Sequence, residues 1–241
     1  MSISIKNKVA LVTGANRGIG KAIVETFLNQ GAKKVYLAVR NTETTKDLEE
    51  QYGNRVVSLQ ADMSKTSSIE ELAKQAQDVE IVVNNAGIGN PHSILGKSVE
   101  DDFRNQLEVN AFGLLRIANA FTQILAKSKG ALVQLNSVAS LKNFPSLATY
   151  SASKAAAYSL TQALNIELGN LGVHVLSVHP GPIDTDMAAG AGFTETFPTA
   201  VVAEGIVSAL ANRDFHLFPD EVAKQFEAGY QSFSDHFITA G

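Results

Sequence analysis

The stretch Val9-Ala-Leu-Val-Thr13-Gly14-Ala15-Asn16-Arg17-Gly18-Ile19-Gly20 carries the decisive pattern of this 241-residue chain. Five residues of apolar, β-rich sequence run directly into a glycine cluster. A helical pattern opens inside that cluster, from Ile19 to Asn29, with Gly31 placed to cap its end. A strand that turns on glycines into a helix brings backbone N–H groups and a helix N-terminus together, an arrangement suited to holding a pyrophosphate. The spacing is G-x-x-x-G-x-G rather than the general G-x-G-x-x-G. Taken alone, the cluster serves equally well as a tight structural turn. Its place at the first strand–helix junction favours anion binding by Gly14, Asn16, Arg17, Gly18, Ile19 and Gly20.

Outward from this turn the same alternation repeats. Short runs at Val35–Val39, Val56–Leu59, Ile81–Val83, Ala131–Leu135 and Val173–Val178 read as buried parallel strands. Helical patterns lie between them, at Ser67–Gln77, Val99–Ala126 and Thr149–Leu171, the last followed by Gly172. Strict βαβ alternation implies right-handed crossovers, so the expected fold is α/β. It is a Rossmann-type, doubly wound parallel sheet of about seven strands with helices on both faces. A single domain over residues 1–241 is expected. From Pro180 to Thr199 the pattern lapses into Gly, Ala, Thr and Pro, which reads as a loop beside a site, with a short substrate loop at about residues 187–199. Beyond Val201–Ala211 come a short apolar stretch, Phe215–Phe218, and a polar tail helix.

Composition narrows the function classes. With 45% hydrophobic and 18% charged residues the chain can bury a substantial core, and a net charge of −4 gives no electrostatic reason for a nucleic-acid or membrane partner. The chain has no cysteine, which excludes disulfides, zinc–thiolate sites and thiol nucleophiles and fits a reducing compartment. Met1–Lys8 lacks an apolar leader core, and nothing approaches the roughly 20 apolar residues of a membrane span. A soluble, cytoplasmic protein is expected. No metal-ligand cluster is apparent, and no metal is expected.

Several residues then stand out by position. Arg40 lies just past the second strand, where an acid would accept hydrogen bonds from the adenosine ribose if NAD were preferred. With Arg17 it could instead pair with a 2′-phosphate, or both could be solvated surface arginines. Asp62 follows the third strand, near the expected adenine edge, where it also suits an N-cap or loop acid. Asn84-Asn85-Ala86-Gly87 ends the fourth strand at the carboxyl edge of the sheet, beside a cofactor or as a plain turn. Tyr150 and Lys154 are four apart at the start of a helical pattern and project from one face. A phenol is a poor base at neutral pH, but a nearby ammonium ion stabilises its phenolate. Ser137, beyond the fifth strand, can donate a hydrogen bond to a carbonyl oxygen as charge develops there. Ser151 and Ser153 read as helix-start or surface residues, and His174 and His179 as packing or hydrogen-bonding residues. Leu141, Phe144, Ala188 and Phe193 border the expected pocket and suit an apolar substrate or local packing.

In combination these motifs resemble the classical short-chain dehydrogenase/reductase family, in order from about Lys8 to Met187. The resemblance implies cofactor contacts at Gly14, Gly18 and Gly20, at Asp62 with Met63 beside it, and at the Asn85, Ala86 and Gly87 segment. It implies a catalytic tetrad of Asn110, Ser137, Tyr150 and Lys154. Pro180, Gly181, Ile183 and Thr185 match the family segment at the nicotinamide end. Tyr150 would be the acid in carbonyl reduction and the base in alcohol oxidation. Lys154 would bind the nicotinamide ribose and lower the tyrosine pKa, Ser137 would polarise the substrate oxygen, and Asn110 would hold a relay water. The Arg17 and Arg40 pair is similar to NADP-preferring members, so NADP(H) is expected over NAD(H). The expected activity is hydride transfer between that cofactor and a small-molecule carbonyl or alcohol. Other readings are a non-catalytic dinucleotide-binding sensor or scaffold, and a redox-assisted epimerase or dehydratase. The stretch from Met187 to Thr199 is shorter than many family lids, which suits an open site or bulky substrates. The tail from Phe215 lacks the family's Val-Asp-Gly-Gly-like ending, where a tetramer interface forms. Val99–Ala126 and Thr149–Leu171 match the helices of the family's common dimer contact, so a homodimer or homotetramer is implied.

Overall fold

The architecture follows from how β1 (Val9–Thr13) distributes its side chains. Ala10 and Val12 pack with Ile23, Phe27 and Leu210 on one face, while Val9 and Leu11 pack with Leu72, Leu114 and Phe121 on the other. Successive strand residues point to opposite faces, so an unbroken apolar run requires a helical layer on each side. A computed structural model describes residues 2–235; Met1 and residues 236–241, part of the expected 1–241 domain, lie outside the described residues.

The remaining strands are β2 (Lys34–Val39), β3 (Val56–Gln60), β4 (Ile81–Asn84), β5 (Ala131–Leu135), β6 (His174–Val178) and β7 (His216–Leu217). They form one sheet in the order β3-β2-β1-β4-β5-β6-β7, with every pairing parallel. The chain order reverses between β1 and β4, and ligands of open α/β sheets bind in the crevice outside the strand ends at such a point. The helices are α1 (Gly18–Asn29), α2 (Lys46–Tyr52), α3 (Thr66–Gln75), α4 (Val99–Leu107), α5 (Gly113–Ser128), α6 (Ala148–Gly169), α7 (Asp186–Gly190), α8 (Thr199–Asn212) and α9 (Glu221–Phe233). Among the described residues no helix is long and apolar enough to cross a membrane.

Three elements differ from the sequence pattern, one of them α7, a short helix inside the stretch Pro180–Thr199 that reads as a loop because one turn capped by Thr185 shows no periodicity. Helix α2 buries only Leu48, so it is too short and polar to show an apolar stripe. The expected continuous helix Val99–Ala126 is interrupted by a wide π-turn at Glu108–Phe112, which separates α4 from α5. Periodicity cannot reveal one inserted residue per turn, and such bulges occur often at functional sites.

Candidate active site

At the switch point the glycine turn after β1 is stapled to the segment after β4. Thr13 Oγ1 donates to Asn84 Oδ1 at 3.2 Å and accepts from the N–H groups of Asn85 and Ala86 at 3.0 and 2.9 Å. Asn85 Nδ2 returns to the carbonyls of Thr13 and Gly14 at 2.9 and 3.3 Å, and Asn84 Nδ2 reaches Gln134 Oε1 on β5 at 2.7 Å. Thr13 was not singled out by sequence, because a strand-end threonine looks like any other β-branched residue. A Cβ on Gly20 would lie 2.1 Å from the Gly14 carbonyl oxygen and 2.6 Å from Asn85 Nδ2, so only glycine lets α1 start this close to the strand.

The residues at this turn fit a dinucleotide. Helix α1 begins with no side-chain cap and no acid in its first turn, leaving its leading N–H groups for an anion. Opposite the turn, Thr185 Cγ2 comes within 3.1 Å of where a Gly18 Cβ would stand, so the segment after β6 closes over the glycines. Thr185 caps α7, accepting from Ala188 N–H at 3.2 Å. Ile183 is buried and bridges to Phe197.

The two arginines do not sit alike. Arg40 is exposed just beyond β2, where its backbone carbonyl accepts from Gln60 Nε2 at 3.2 Å. Arg17 instead forms an ion pair with Asp186 of α7 at 2.6 Å, with side chains 69% and 73% exposed. Sequence separation of 169 residues hid that partner. An ion pair this exposed is worth about 0–1 kcal/mol and yields readily to a phosphate. Asp62 accepts from Ser64 N–H and Oγ at 3.0 and 2.7 Å, and the Ser64 hydroxyl, helped by Lys65, holds its carboxyl below the usual range. Met63 is buried beside it, and its carbonyl accepts from Arg116 at 2.9 Å. Ser64, Ile88, Gln106 and Val109 line a cavity of about 250 Å³.

Beyond β5 and along α6 the proton-transfer candidates converge. Ser137 is buried; its Oγ accepts from Ala139 N–H at 3.1 Å and donates to the Pro180 carbonyl at 3.3 Å. Lys154 is buried in α6, donates to the Leu135 carbonyl at 2.7 Å, and lies 5.8 Å from the Tyr150 ring centre. Burial pushes the Lys154 ammonium down to about 8. Tyr150 keeps some surface exposure, yet burial pushes its phenol up to about 12, opposed by a hydrogen bond with Ser137. The family resemblance implies that Lys154 lowers the Tyr150 pKa. In the structure the phenol is raised by burial, because the phenolate would lose water, and the opposing contact is Ser137, while Lys154 Nζ donates to the Leu135 carbonyl. A Cβ on Gly89 would lie 2.5 Å from Tyr150 Cδ2, so the loop after β4 packs flat on the ring.

Asn110, in the π-turn, grips the same loop from behind. Its Oδ1 accepts from Ile88 N–H at 2.9 Å, and its Nδ2 donates to the Ile88 carbonyl at 2.8 Å and to Ser153 Oγ at 2.9 Å. Its side chain is therefore committed to protein partners. Gly87 lies between Asn110 and Lys154, since a Cβ there would stand 3.1 Å from Asn110 Oδ1 and 3.5 Å from Lys154 Nζ. Ser151 and Ser153 lie in the first turns of α6, as the helix-start reading expects, but both are buried, and Ser153 donates to the Tyr150 carbonyl at 2.8 Å. Helix α6 is packed by α4, α5 and β6, which leaves little of its first turns exposed.

Of the four pocket candidates, Ala188 is buried and Phe193 is 44% exposed. Leu141 and Phe144 pack with Phe218, Phe226 and Tyr230. The tail helix α9 thus closes one side of the site. Asp220 anchors it, accepting from Gly181 N–H at 2.7 Å and from Ala223 N–H at 2.9 Å. This buried carboxylate carried no sequence signal beyond an N-cap acid before a helix.

A family model described as short chain dehydrogenase matches residues 8–195. An uncharacterized oxidoreductase of Staphylococcus epidermidis is 34% identical over 213 residues, covering 86% of this chain and 92% of that relative. A short chain dehydrogenase from Burkholderia cenocepacia, solved in complex with NADP, superimposes with a TM-score of 0.89 at 32% identity, over 98% of this chain and 100% of the other. An alcohol dehydrogenase from the archaeon Thermococcus sibiricus, complexed with 5-hydroxy-NADP, has a TM-score of 0.78 at 29% identity, over 87% and 94% of the two chains. The chain belongs to the short-chain dehydrogenase family. It is an oxidoreductase of that family, whose members bind a nicotinamide cofactor.

Proposed function

We propose that this oxidoreductase is NADP(H)-dependent and interconverts carbonyls and alcohols within one dinucleotide-binding and catalytic domain, with Tyr150 as general acid and base. The observation that carries the reading is that Tyr150 meets Ser137 and lies near Lys154 beyond the ends of β4 and β5, with Gly89 against the tyrosine ring and Gly87 beside the lysine. In this reading the glycine turn and the α1 N-terminus hold the pyrophosphate. Asp62, Met63, Asn85, Ala86 and Gly87 border the adenosine half, and Pro180, Gly181, Ile183 and Thr185 the nicotinamide half. Arg40 faces the 2′-phosphate, where a guanidinium suits a bidentate contact. Hydride is the chemistry the nicotinamide supplies when bound.

The chain's own residues then manage the proton. A phenol pushed up to about 12 remains protonated at neutral pH and stands ready as an acid in reduction. Tyr150 Oη gives its proton to the substrate oxygen as the carbonyl bond becomes C–O. Ser137 Oγ turns its hydrogen from the Pro180 carbonyl toward that oxygen and steadies the growing charge. Lys154, still largely protonated at pH 7, stabilises the phenolate left behind. In alcohol oxidation the same groups run in reverse. The partly exposed Phe193 and the apolar Leu141 and Phe144 favour an apolar carbonyl.

A panel of aldehydes, ketones, β-keto esters and quinones, followed by NADPH oxidation, tests the activity and finds the substrate class. Tyr150→Phe is expected to keep NADPH binding and lose at least about 100-fold in kcat, the scale of general acid catalysis. Undiminished turnover in that variant would remove Tyr150 from the mechanism.

A further inference from the structure

Directly behind Ser137 lies a buried histidine that the proton transfer described above does not use. We propose that His179 is a positioning residue for Ser137, its Nδ1–H holding the Ser137 carbonyl and the Ser140 hydroxyl so that the turn carrying the reactive hydroxyl stays in place. The proposal rests on the role assigned to Ser137 above.

The hydrogen bonds around the ring assign its proton. Ser140 Oγ donates to the Ser137 carbonyl at 2.5 Å, so its remaining capacity toward His179 is as an acceptor. His179 Nδ1 lies 3.1 Å from Ser140 Oγ and 3.3 Å from the Ser137 carbonyl oxygen. Two acceptors facing one nitrogen place the hydrogen on Nδ1. Nε2 is then bare and accepts from Ser177 Oγ at 2.8 Å, while Ser177 Oγ itself receives Asn136 Nδ2–H at 2.9 Å. Every hydroxyl in the chain has a consistent role in this one tautomer.

The ring has little freedom to leave. It is fully buried, stacked on Phe218 at 5.0 Å and edge-on to Tyr158 at 4.6 Å. Burial, reinforced by His216 nearby, pushes its pKa down to about 3, so it stays neutral and keeps the single Nδ1 hydrogen at working pH. Ser137 is consequently held at two atoms: its carbonyl by the His179 ring, and its hydroxyl by the carbonyl of Pro180, the residue next to His179. The turn Val138–Ser140 follows at once and is closed on the same side by Val138 N–H to the Pro180 carbonyl at 3.0 Å.

Two substitutions of similar size separate positioning from packing. In His179→Asn the amide nitrogen falls near the place of Nδ1 and keeps the donor toward Ser137. In His179→Gln the amide falls near Nε2, keeps Ser177 and releases Ser137. Both remove the stacked ring, so both should lower Tm by similar amounts. The expected result is that Gln loses about tenfold or more in kcat, the scale of one lost hydrogen bond, while Asn stays within about threefold of wild type. KM for NADPH should not move in either. Equal kcat in the two variants, whether both lowered or both normal, overturns the proposal. Ser140→Ala, outside the ring stack, serves if neither variant folds: it should lose about tenfold in kcat with the KM for NADPH unchanged, and wild-type kcat there overturns the proposal as well. Tyr150→Phe is run alongside. Wild-type protein without turnover, or a Phe variant with full turnover, refutes the assigned reaction and removes the role of His179 with it. Normal controls with equal Asn and Gln variants refute only the positioning.

Discussion

Replacing Gly89 by Ala adds one methyl group at the face of Tyr150. That carbon would stand 2.5 Å from Tyr150 Cδ2 and 3.1 Å from Cε2 and Cγ. Carbon atoms rest at about 3.5–4.0 Å, so something must give by about 1 Å. The loop is pinned next door by the two hydrogen bonds between Ile88 and Asn110, at 2.9 and 2.8 Å, which leaves the ring to move. A misplacement of about 1 Å in a catalytic group costs about 100-fold in rate, equivalent to about 2.7 kcal/mol. Steady-state NADPH oxidation should therefore show kcat falling about 100-fold, while the NADPH Kd, read by fluorescence titration, stays constant. Gly169→Ala, with nothing within 4 Å of the added carbon, is the matched control and should be silent. A Gly89→Ala enzyme within threefold of wild-type kcat, folded and binding NADPH, would show that the ring contact does not set the position of the phenol.

Replacing Arg40 by Ala should lower the NADPH-to-NADH ratio of kcat/KM by about tenfold or more, the worth of a charge-assisted contact; an unchanged ratio removes Arg40 from cofactor choice. Since burial holds Lys154 near 8, its charge is lost as pH rises through that value, and kcat/KM for carbonyl reduction should decline above about pH 8. A profile flat to about pH 10 would contradict this. Stability should fall on the acid side. Burial depresses His174 and His216 to about 4 and His179 to about 3, against about 6.5 in an unfolded chain, so below pH 6.5 the unfolded state takes up protons that the folded state refuses. The stabilisation is complete above pH 6.5 and is lost progressively toward pH 4 and below. Thermal melts at pH 7.5 and 5.0 read the sign, and a higher Tm at pH 5.0 would be the contrary result.

The sheet was legible because each strand is a run of apolar residues whose two faces must both be covered, and β1 shows this directly through Ala10 and Val12 against Val9 and Leu11. The seventh strand, only His216–Leu217, was visible as the apolar stretch Phe215–Phe218, but its pairing with β6 was not. Helix α2 and the π-turn at Glu108–Phe112 escaped the reading, one for lack of an apolar stripe and the other because a wide turn leaves the periodic pattern almost intact. At the site, local patterns named Ser137, Tyr150 and Lys154. They could not show that Asn110 is locked to Ile88 and Ser153, that Arg17 is engaged by Asp186, or that Ser153 is buried. Each of those facts is a meeting of residues 22 to 169 positions apart.

By itself the sequence determined what nearest neighbours and period-two or period-3.6 spacing can encode: the alternation of strands and helices, the glycine turn against a helix start, and a tyrosine and a lysine one helical turn apart. Tertiary structure alone decided which polar groups meet and which lose water. Burial pushes the Tyr150 phenol up to about 12, and distant strands and the tail helix bring His179 and Asp220 to the Ser137–Gly181 corner. The physical reason is that burial and hydrogen-bond partnership depend on separations in space, which a linear spacing rule does not contain.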